Sequence, residues 1–301
     1  MNMDEVRVTP SGVFDNHARP YRHIQARPLA AAMGAEIVGL DARDVSDEAF
    51  AELRDALFHH KMIYLRDQAL DHGAHERLTA RFGPFGTDAY TQGVEGHPDV
   101  QPVIKEADVR SKAIFGGSWH TDSAFLTRPP SISTLYSVEI PPYGGDTMWA
   151  NTALAYRALS PVMQRMIAPL RIHMSAERNS ATQLRLNGRN TAFSSEEARD
   201  QAFEGAFHPL VRTHPVTGEK ALYVDESYAV GIEGMTPAES RPLIEFLSQH
   251  IIQHAFTCRL RWEPRMLVMW DNRICLHHAS NDYDGFRREL YRTTVMGEVP
   301  A

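Results

Sequence analysis

Short β-type segments, separated by turns, dominate this chain from Val100 onward and constrain its fold more than any other feature. Glycine and proline clusters such as 141–145 and 214–218 lie between the segments and mark turns. Many short strands at this spacing predict a β-sandwich or a jelly roll. The predicted strands are 100–104, 132–138, 147–150, 210–213, 222–224, 256–262, 266–270 and 290–296.

Three helices are predicted around these strands. Ser46 is a candidate N-cap before an apolar stripe, a second helix is predicted for 71–82, and Thr236 to Glu239 has the sequence of a capping box. Nothing in the chain marks a linker between domains. Residues 1–20 are therefore expected to form a flexible arm and residues 21–301 a single domain. The polar stretch 175–201 lacks periodicity and is expected to be an active-site lid or a disordered loop.

Composition excludes several classes of protein. A net charge of −7 over 301 residues argues against nucleic-acid binding, which needs a basic face. Cys258 and Cys275 are the only cysteines, so neither a disulfide framework nor a cysteine zinc site is predicted. No apolar run approaches the length of a membrane span. A cytoplasmic enzyme with no membrane partner is the expectation.

His120-Thr-Asp122 is the strongest candidate for a metal site. In an extended strand, residues i and i+2 point to the same side, so the imidazole and the carboxylate could bind one ion. A distant histidine would complete the two-histidine, one-carboxylate set of non-haem Fe(II) oxygenases. Taken alone, the triplet is compatible with several metals or with none. Nucleotide-binding glycine loops and H-E-x-x-H are absent, and Gly116-Gly-Ser-Trp-His120 lacks the last glycine of a nucleophile elbow.

Five motifs in order carry a resemblance to a known family. They are Trp119-His-Thr-Asp122, Gly144-Gly-Asp-Thr147, the segment 208–215, Trp270-Asp-Asn-Arg273 and the arginine pair Arg287-Arg288. From about residue 24 to its end the chain resembles the taurine dioxygenase / 2,4-dichlorophenoxyacetate dioxygenase (TauD/TfdA) family of Fe(II)- and 2-oxoglutarate-dependent dioxygenases. The resemblance implies a double-stranded β-helix, a cupin-like jelly roll, that is mainly β with flanking helices.

The resemblance also implies a role for each matching residue. His120, Asp122 and His277 match the family's iron ligands, with the neighbouring His278 as the competitor for the third place. Thr147 and Arg288 match the residues that hold 2-oxoglutarate, and Arg292 matches an arginine that binds the substrate's anionic group. A structural salt bridge is the alternative for Arg292. The implied reaction uses Fe(II), O2 and 2-oxoglutarate, is assisted by ascorbate in vitro, and yields succinate and CO2.

The implied substrate is a small organic anion that is hydroxylated at a C–H bond next to a heteroatom. Candidates are an aryloxyalkanoate, a sulfonate or a sulfate ester, and several segments resemble (R)-2-aryloxypropionate dioxygenases. Asp88 and Gly116 stand where taurine enzymes carry a histidine and an asparagine, and both are expected to bind substrate. Tyr90, Phe125 and Phe207 are expected to line an apolar pocket.

Three alternatives stay open at this point. The first is a taurine dioxygenase proper, which releases sulfite. The others come from different classes: a zinc-dependent hydrolase and a non-catalytic, metal-binding jelly roll. An arginine eleven residues beyond a ligand histidine is not something a zinc hydrolase needs. The family resemblance adds the expectation that the chain can form a homo-oligomer.

Overall fold

A computed structural model describes residues 16–114, 116–188 and 192–301 of the chain. Most of the predicted N-terminal arm, residues 1–15, lies outside the described residues. Asn16, however, is buried, and its amide donates to the carbonyl oxygens of Ala30 and Gly34 at 2.5 and 2.8 Å. The prediction of a flexible arm is therefore wrong at this position.

One seven-stranded sheet forms the centre of the fold. Its strands lie in the order β1-β2-β3-β13-β5-β15-β4, and all neighbours are antiparallel except β2 and β3. These strands are β1 (Gln25–Pro28), β2 (Ala35–Val38), β3 (Met62–Leu65), β4 (Gln101–Lys105), β5 (Ile132–Glu139), β13 (Leu267–Asp271) and β15 (Arg288–Val295).

Three smaller sheets complete the β structure, in the orders β12-β6-β14, β11-β7-β8 and β10-β9. Their strands are β6 (Thr147–Asn151), β7 (Arg171–Met174), β8 (Ala206–Pro209), β9 (Val211–Thr213), β10 (Lys220–Leu222), β11 (Ala229–Ile232), β12 (Thr257–Leu260) and β14 (Cys275–Ala279). The fold is mainly β with flanking helices, a jelly roll, as predicted.

Strand β13 shows why the seven-stranded sheet is buried on both faces. Side chains alternate along a strand, and Val268 and Trp270 belong to one hydrophobic cluster while Leu267 and Met269 belong to another. The first cluster packs the sheet against β12-β6-β14, where the rings of Trp149 and Trp270 lie 5.9 Å apart. The second packs it against helices. The candidate site lies on the face of the first cluster.

Seven α-helices flank the sheets within the described residues. Ser46 caps α1 as predicted, and the Thr236–Glu239 capping box begins α7. The helices are α1 (Asp47–His60), α2 (His72–Ala80), α3 (Thr152–Ala158), α4 (Pro161–Ile167), α5 (Glu177–Asn187), α6 (Glu196–Glu204) and α7 (Pro237–Ile251). None of the described helices is long and apolar enough to span a membrane.

The segment 175–201 differs from its prediction. It was expected to lack regular structure, but it contains all of α5 and the first turns of α6. Helix α5 has no buried residue, so it has no apolar stripe for a periodicity argument to detect. The expectation of a loop is wrong for these two helices, and a lid function for the segment stays a prediction.

Candidate metal and co-substrate site

The candidate site lies between the seven-stranded sheet and the sheet β12-β6-β14. His277 belongs to β14, whereas His120 lies in the connection between β4 and β5 and joins β14 by a single β-bridge. The two backbone bonds of this bridge join the N–H of each histidine to the carbonyl of the other, at 3.1 and 2.8 Å. His120 forms an isolated bridge and does not belong to one of the named strands, so the strand on which the i, i+2 argument was based is absent. Its geometric consequence still holds, because the Thr121 hydroxyl points away to the Asn272 carbonyl.

His120, Asp122 and His277 present one ligand atom each, and all three atoms lie within 4.8 Å of one another. Oδ1 of Asp122 is 3.9 Å from Nε2 of His120 and 3.8 Å from Nε2 of His277. His278, the competitor, points elsewhere on the strand, and its ring lies 5.6 Å from that of Trp119. The structure therefore places His277, and not His278, beside His120 and Asp122.

The imidazole of His120 is oriented for metal binding. Its Nδ1 lies 2.8 Å from the carbonyl oxygen of Ser118, and a carbonyl only accepts, so Nδ1 carries the proton. The lone pair of Nε2 then faces the other donors. Burial lowers the pKa of both His120 and His277, and the positive charge of Arg292 lowers it further. Both rings are therefore neutral, as a metal ligand must be.

Asp122 is held by partners on both of its oxygens. Ser133 donates a short hydrogen bond to Oδ2, and Nη1 of Arg292 lies 3.2 Å from Oδ1. Burial alone would raise the pKa of this carboxyl, but the charge of Arg292 and the hydrogen bond from Ser133 oppose burial, and the pKa is lowered. Asp122 is therefore an anion at any working pH, and its partners keep Oδ1 directed toward the histidines.

Arg288 and Thr147 lie in the same cavity as the two histidines. Arg288 is buried, yet its Nε and Nη2 have no hydrogen-bond partner among the described residues. Burial lowers the pKa of this guanidinium, and a bound anion would compensate for the lost hydration. The Thr147 hydroxyl oxygen accepts a hydrogen bond from the indole N–H of Trp262 at 2.9 Å. The hydroxyl hydrogen of Thr147 can therefore donate to a ligand in the cavity. The pair fits a carboxylate ligand such as the distal end of 2-oxoglutarate.

Arg292 and Asp88 were both predicted to bind substrate, and the structure pairs them with each other. Nη2 of Arg292 donates a short hydrogen bond to Oδ2 of Asp88. Arg292 lines the same cavity as Arg288, on the same face of β15, as the period of two predicted. Arg292 therefore forms the salt bridge that was the alternative for it, and its contact with substrate stays a prediction.

Tyr90 and Phe125 pack against each other in the hydrophobic core, and their lining of a substrate pocket stays a prediction. The rings of Tyr90 and Phe125 lie 5.9 Å apart, and Tyr228 contacts Phe125 at 5.2 Å and His120 at 6.3 Å. Gly116 also lies at the site, since a Cβ built on it would come 3.4 Å from the His120 ring. Its φ of +75° makes a side chain unfavourable there.

Phe207 does not belong to this pocket. Its neighbour His208 faces inward and hydrogen-bonds the Ala124 carbonyl, so the alternation of the strand turns Phe207 outward. Phe207 is 42% exposed and stacks on His173. The prediction that it lines the pocket is wrong.

Sequence reasoning missed the residues that support the site. Ser133, Trp262 and Tyr228 contact ligand candidates but belong to no motif of the chain. Tyr283 was missed as well, although its ring lies 5.9 Å below the guanidinium of Arg288. No spacing rule connects these residues with the histidines, because each comes from a different strand or loop.

The chain is similar to known proteins in both sequence and fold. The sequence profile of the "Taurine catabolism dioxygenase TauD, TfdA family" matches residues 25–294. A sulfate ester dioxygenase of Pseudomonas putida, dependent on α-ketoglutarate, is 32% identical over 92% of this chain and 91% of its own. A 2,4-dichlorophenoxyacetate dioxygenase of Cupriavidus pinatubonensis is 30% identical, over 92% and 99%.

Solved structures with the same fold are similar to this chain. A putative α-ketoglutarate-dependent taurine dioxygenase from Burkholderia xenovorans superposes with a TM-score of 0.77 at 36% identity, covering 92% of this chain and 91% of that one. AAD-2 in complex with Mn(II) and N-oxalylglycine superposes with a TM-score of 0.74 at 27% identity, covering 93% and 99%.

Proposed function

Because this chain belongs to the TauD, TfdA family of taurine catabolism dioxygenases, we propose that it hydroxylates a small organic anion at a C–H bond next to a heteroatom. It is a 2-oxoglutarate-dependent dioxygenase that uses Fe(II), 2-oxoglutarate and O2. Relatives named for sulfate esters, sulfonates and aryloxyalkanoates support the proposed substrate class. A cytoplasmic location and a homo-oligomeric state stay predictions.

One observation carries the site assignment. The cluster of His120, Asp122 and His277 shares a cavity with Arg288, a buried guanidinium whose Nε and Nη2 have no hydrogen-bond partner among the described residues. We assign the three residues as iron ligands and Arg288 as the anchor of 2-oxoglutarate. A planar guanidinium can bind the distal carboxylate with two parallel hydrogen bonds. The Thr147 hydroxyl is assigned to the same carboxylate.

The protein's own contribution is to hold and orient these groups. Bound Fe(II) with 2-oxoglutarate supplies the oxidising chemistry, in which O2 is reduced, 2-oxoglutarate gives succinate and CO2, and one oxygen atom enters a substrate C–H bond. Ser118 fixes the tautomer of His120, and Ser133 fixes the rotamer of Asp122. Tyr90, Phe125 and Tyr228 form a buried aromatic cluster, and we place the substrate beside it, where Tyr228 contacts His120. Hydroxylation beside oxygen or sulfur gives a product that collapses to a carbonyl compound and a released phenol, sulfate or sulfite.

The test is a substrate panel under air with Fe(II), ascorbate and 2-oxoglutarate. The panel contains alkyl sulfate esters, alkylsulfonates including taurine, and both enantiomers of chiral aryloxyalkanoates. We expect at least one class to raise succinate formation above the substrate-free rate, with succinate and the carbonyl product formed one for one. Succinate that never exceeds the metal-free control with any member would refute the proposal. Product formed with Zn(II) and no 2-oxoglutarate would instead support the hydrolase alternative.

A further inference from the structure

Two buried carboxylates hold the guanidinium of Arg292. Nη1 donates to Oδ1 of Asp122 at 3.2 Å, and Nη2 makes the short contact with Oδ2 of Asp88. The side chains of Arg292 and Asp88 are only 7% and 4% exposed. Both carboxylates raise the pKa of Arg292 against the effect of burial, so it stays charged. Among the described residues that line the cavity, Arg288 and Arg292 are the only cations. Asp88 therefore covers one side of Arg292.

The loop around Asp88 fixes this carboxylate independently of any ligand. Its Oδ1 accepts the backbone N–H groups of Tyr90 and Thr91, each at 2.8 Å, and the Thr91 hydroxyl at 3.1 Å. Oδ2 is left for Arg292. A side chain held by its own turn in this way stays in place whether or not substrate is bound. Asp88 also lines an open groove of about 530 Å³.

The charges of the site are already balanced without substrate. Asp88 and Asp122 offset Arg292 and Arg288, and a divalent iron offsets dianionic 2-oxoglutarate. A further anion at Arg292 would therefore leave a buried chamber with an uncompensated negative charge, which is costly at low dielectric. Without the charge of Asp88 the same chamber would carry one positive charge, which a monoanion would neutralise.

We propose that Asp88 is a specificity-determining residue, which masks Arg292 and so selects a substrate that presents an uncharged acceptor group to it. Suitable groups are the oxygen of an ether, an amide or a sulfone. This inference rests on the proposed function, and it places the acidic group of the substrate at the end remote from Arg292. A compact sulfonate such as taurine, whose charge would lie at Arg292, is disfavoured as the natural substrate.

The decisive variant is Asp88→Asn. Asparagine keeps the oxygen that accepts the Tyr90 and Thr91 donors, so the turn is retained while the negative charge is lost. The matched control is Asp41→Asn, which removes the same charge from an exposed pair with Arg43. Calorimetry on protein loaded with Mn(II) and 2-oxoglutarate measures binding without turnover. The probes are two pairs of similar shape that carry a single polar group, pentanoate with pentanamide and butanesulfonate with butanesulfonamide.

Asp88→Asn should bind both anions at least about tenfold more tightly than wild type, while the neutral probes change little. The control should behave as wild type. In wild type, each neutral probe should bind at least as tightly as its anion, a comparison that needs no variant. Anion binding that is unchanged or undetectable in both wild type and Asp88→Asn would overturn the inference, as would a wild-type preference for the anions.

Failure of this inference is distinguishable from failure of the proposed function. The calorimetric preference between charged and neutral probes is measured without O2 and without product. Loss of the preference together with normal succinate formation on the panel would remove the role of Asp88 alone. Absence of succinate with a clear preference for neutral probes would instead remove the proposed reaction.

Discussion

The Ser133 hydroxyl donates a hydrogen bond to Oδ2 of Asp122. Oδ1 of Asp122 therefore points toward the Nε2 atoms of His120 and His277. The Ser133 oxygen accepts a hydrogen bond from Nδ2 of Asn272 at 2.8 Å, so the Ser133 hydroxyl hydrogen is free to donate to Asp122. A chain of two hydrogen bonds therefore sets the rotamer of the candidate carboxylate ligand. Residues of this kind orient metal ligands without touching the metal.

Removing this hydroxyl should weaken metal binding. Ser133→Ala leaves Oδ2 of Asp122 without its donor, and we expect the affinity for Mn(II) or Fe(II) to fall about tenfold or more. Ser137→Ala is the matched control, because Ser137 is a buried serine of the same strand that donates to the Glu263 carbonyl. Titration calorimetry checks both. Equal losses of metal affinity in the two variants would contradict the role of Ser133.

The third histidine ligand can be tested against its neighbour. His277→Ala removes a donor 3.8 Å from Oδ1 of Asp122, and we expect Mn(II) binding to become undetectable. His278→Ala should retain the wild-type affinity, since its ring packs near Trp119. Electron paramagnetic resonance of bound Mn(II) measures both. The opposite pattern would reassign the ligand to His278.

Arg288 should control co-substrate binding through its geometry as well as its charge. Arg288→Lys keeps the charge but loses the bidentate fork, and we expect the Kd for 2-oxoglutarate to rise about 100-fold. Arg287→Lys is the control, because this neighbouring side chain pairs with Glu106, Glu139 and Glu289 at the surface. Calorimetry with Mn(II) present gives both constants. A wild-type Kd in Arg288→Lys would place the co-substrate elsewhere.

The indole of Trp262 should act on 2-oxoglutarate through Thr147. Trp262→Phe keeps a large ring but removes the donor that directs the Thr147 hydroxyl, and we expect the Kd for 2-oxoglutarate to rise about fivefold. Trp149→Phe is matched, because the buried Nε1 of Trp149 has no hydrogen-bond partner among the described residues. A similar shift in both variants would mean that general packing, and not the hydrogen bond, is responsible.

The pH dependence of metal binding follows from the two imidazoles. A lowered pKa means that protons compete with the metal only below the ordinary histidine value of 6.5. Metal affinity should therefore stay level as the pH falls to 6.5 and decline only at lower pH, with Asp122 ionised throughout. Titrations with Mn(II) across this range check the prediction. A decline centred at or above 6.5 would show that burial does not lower these pKa values.

The part of the site that follows from the sequence is the part carried by short motifs. His120 and Asp122 are two residues apart, and Arg288 and Arg292 share one face of β15, so local geometry brings each pair together. Each of the eight predicted strands overlaps an observed one, because turn residues separate them, whereas β14, which carries His277, was not predicted. Helix α6 also had a readable signal, since Ser195 caps it and Glu196 and Glu197 follow, but the polarity of the segment concealed it.

The contacts that were missed join distant parts of the chain. Asp88 and Arg292 are 204 residues apart, and no local rule predicts that they form an ion pair. Ser133 and Trp262 reach Asp122 and Thr147 only because separate strands come together in the fold. The sequence therefore predicts which chemistry the site performs, whereas the environment of each reactive group depends on tertiary packing.

The central claim is that His120, Asp122 and His277 bind an iron that oxidises 2-oxoglutarate. It is tested most directly by measuring succinate formed from 2-oxoglutarate under air by protein reconstituted with Fe(II). We predict succinate from wild type and from His278→Ala, and none above the metal-free background from His277→Ala. Succinate formation by His277→Ala at the wild-type rate, or none from wild type, would contradict the claim.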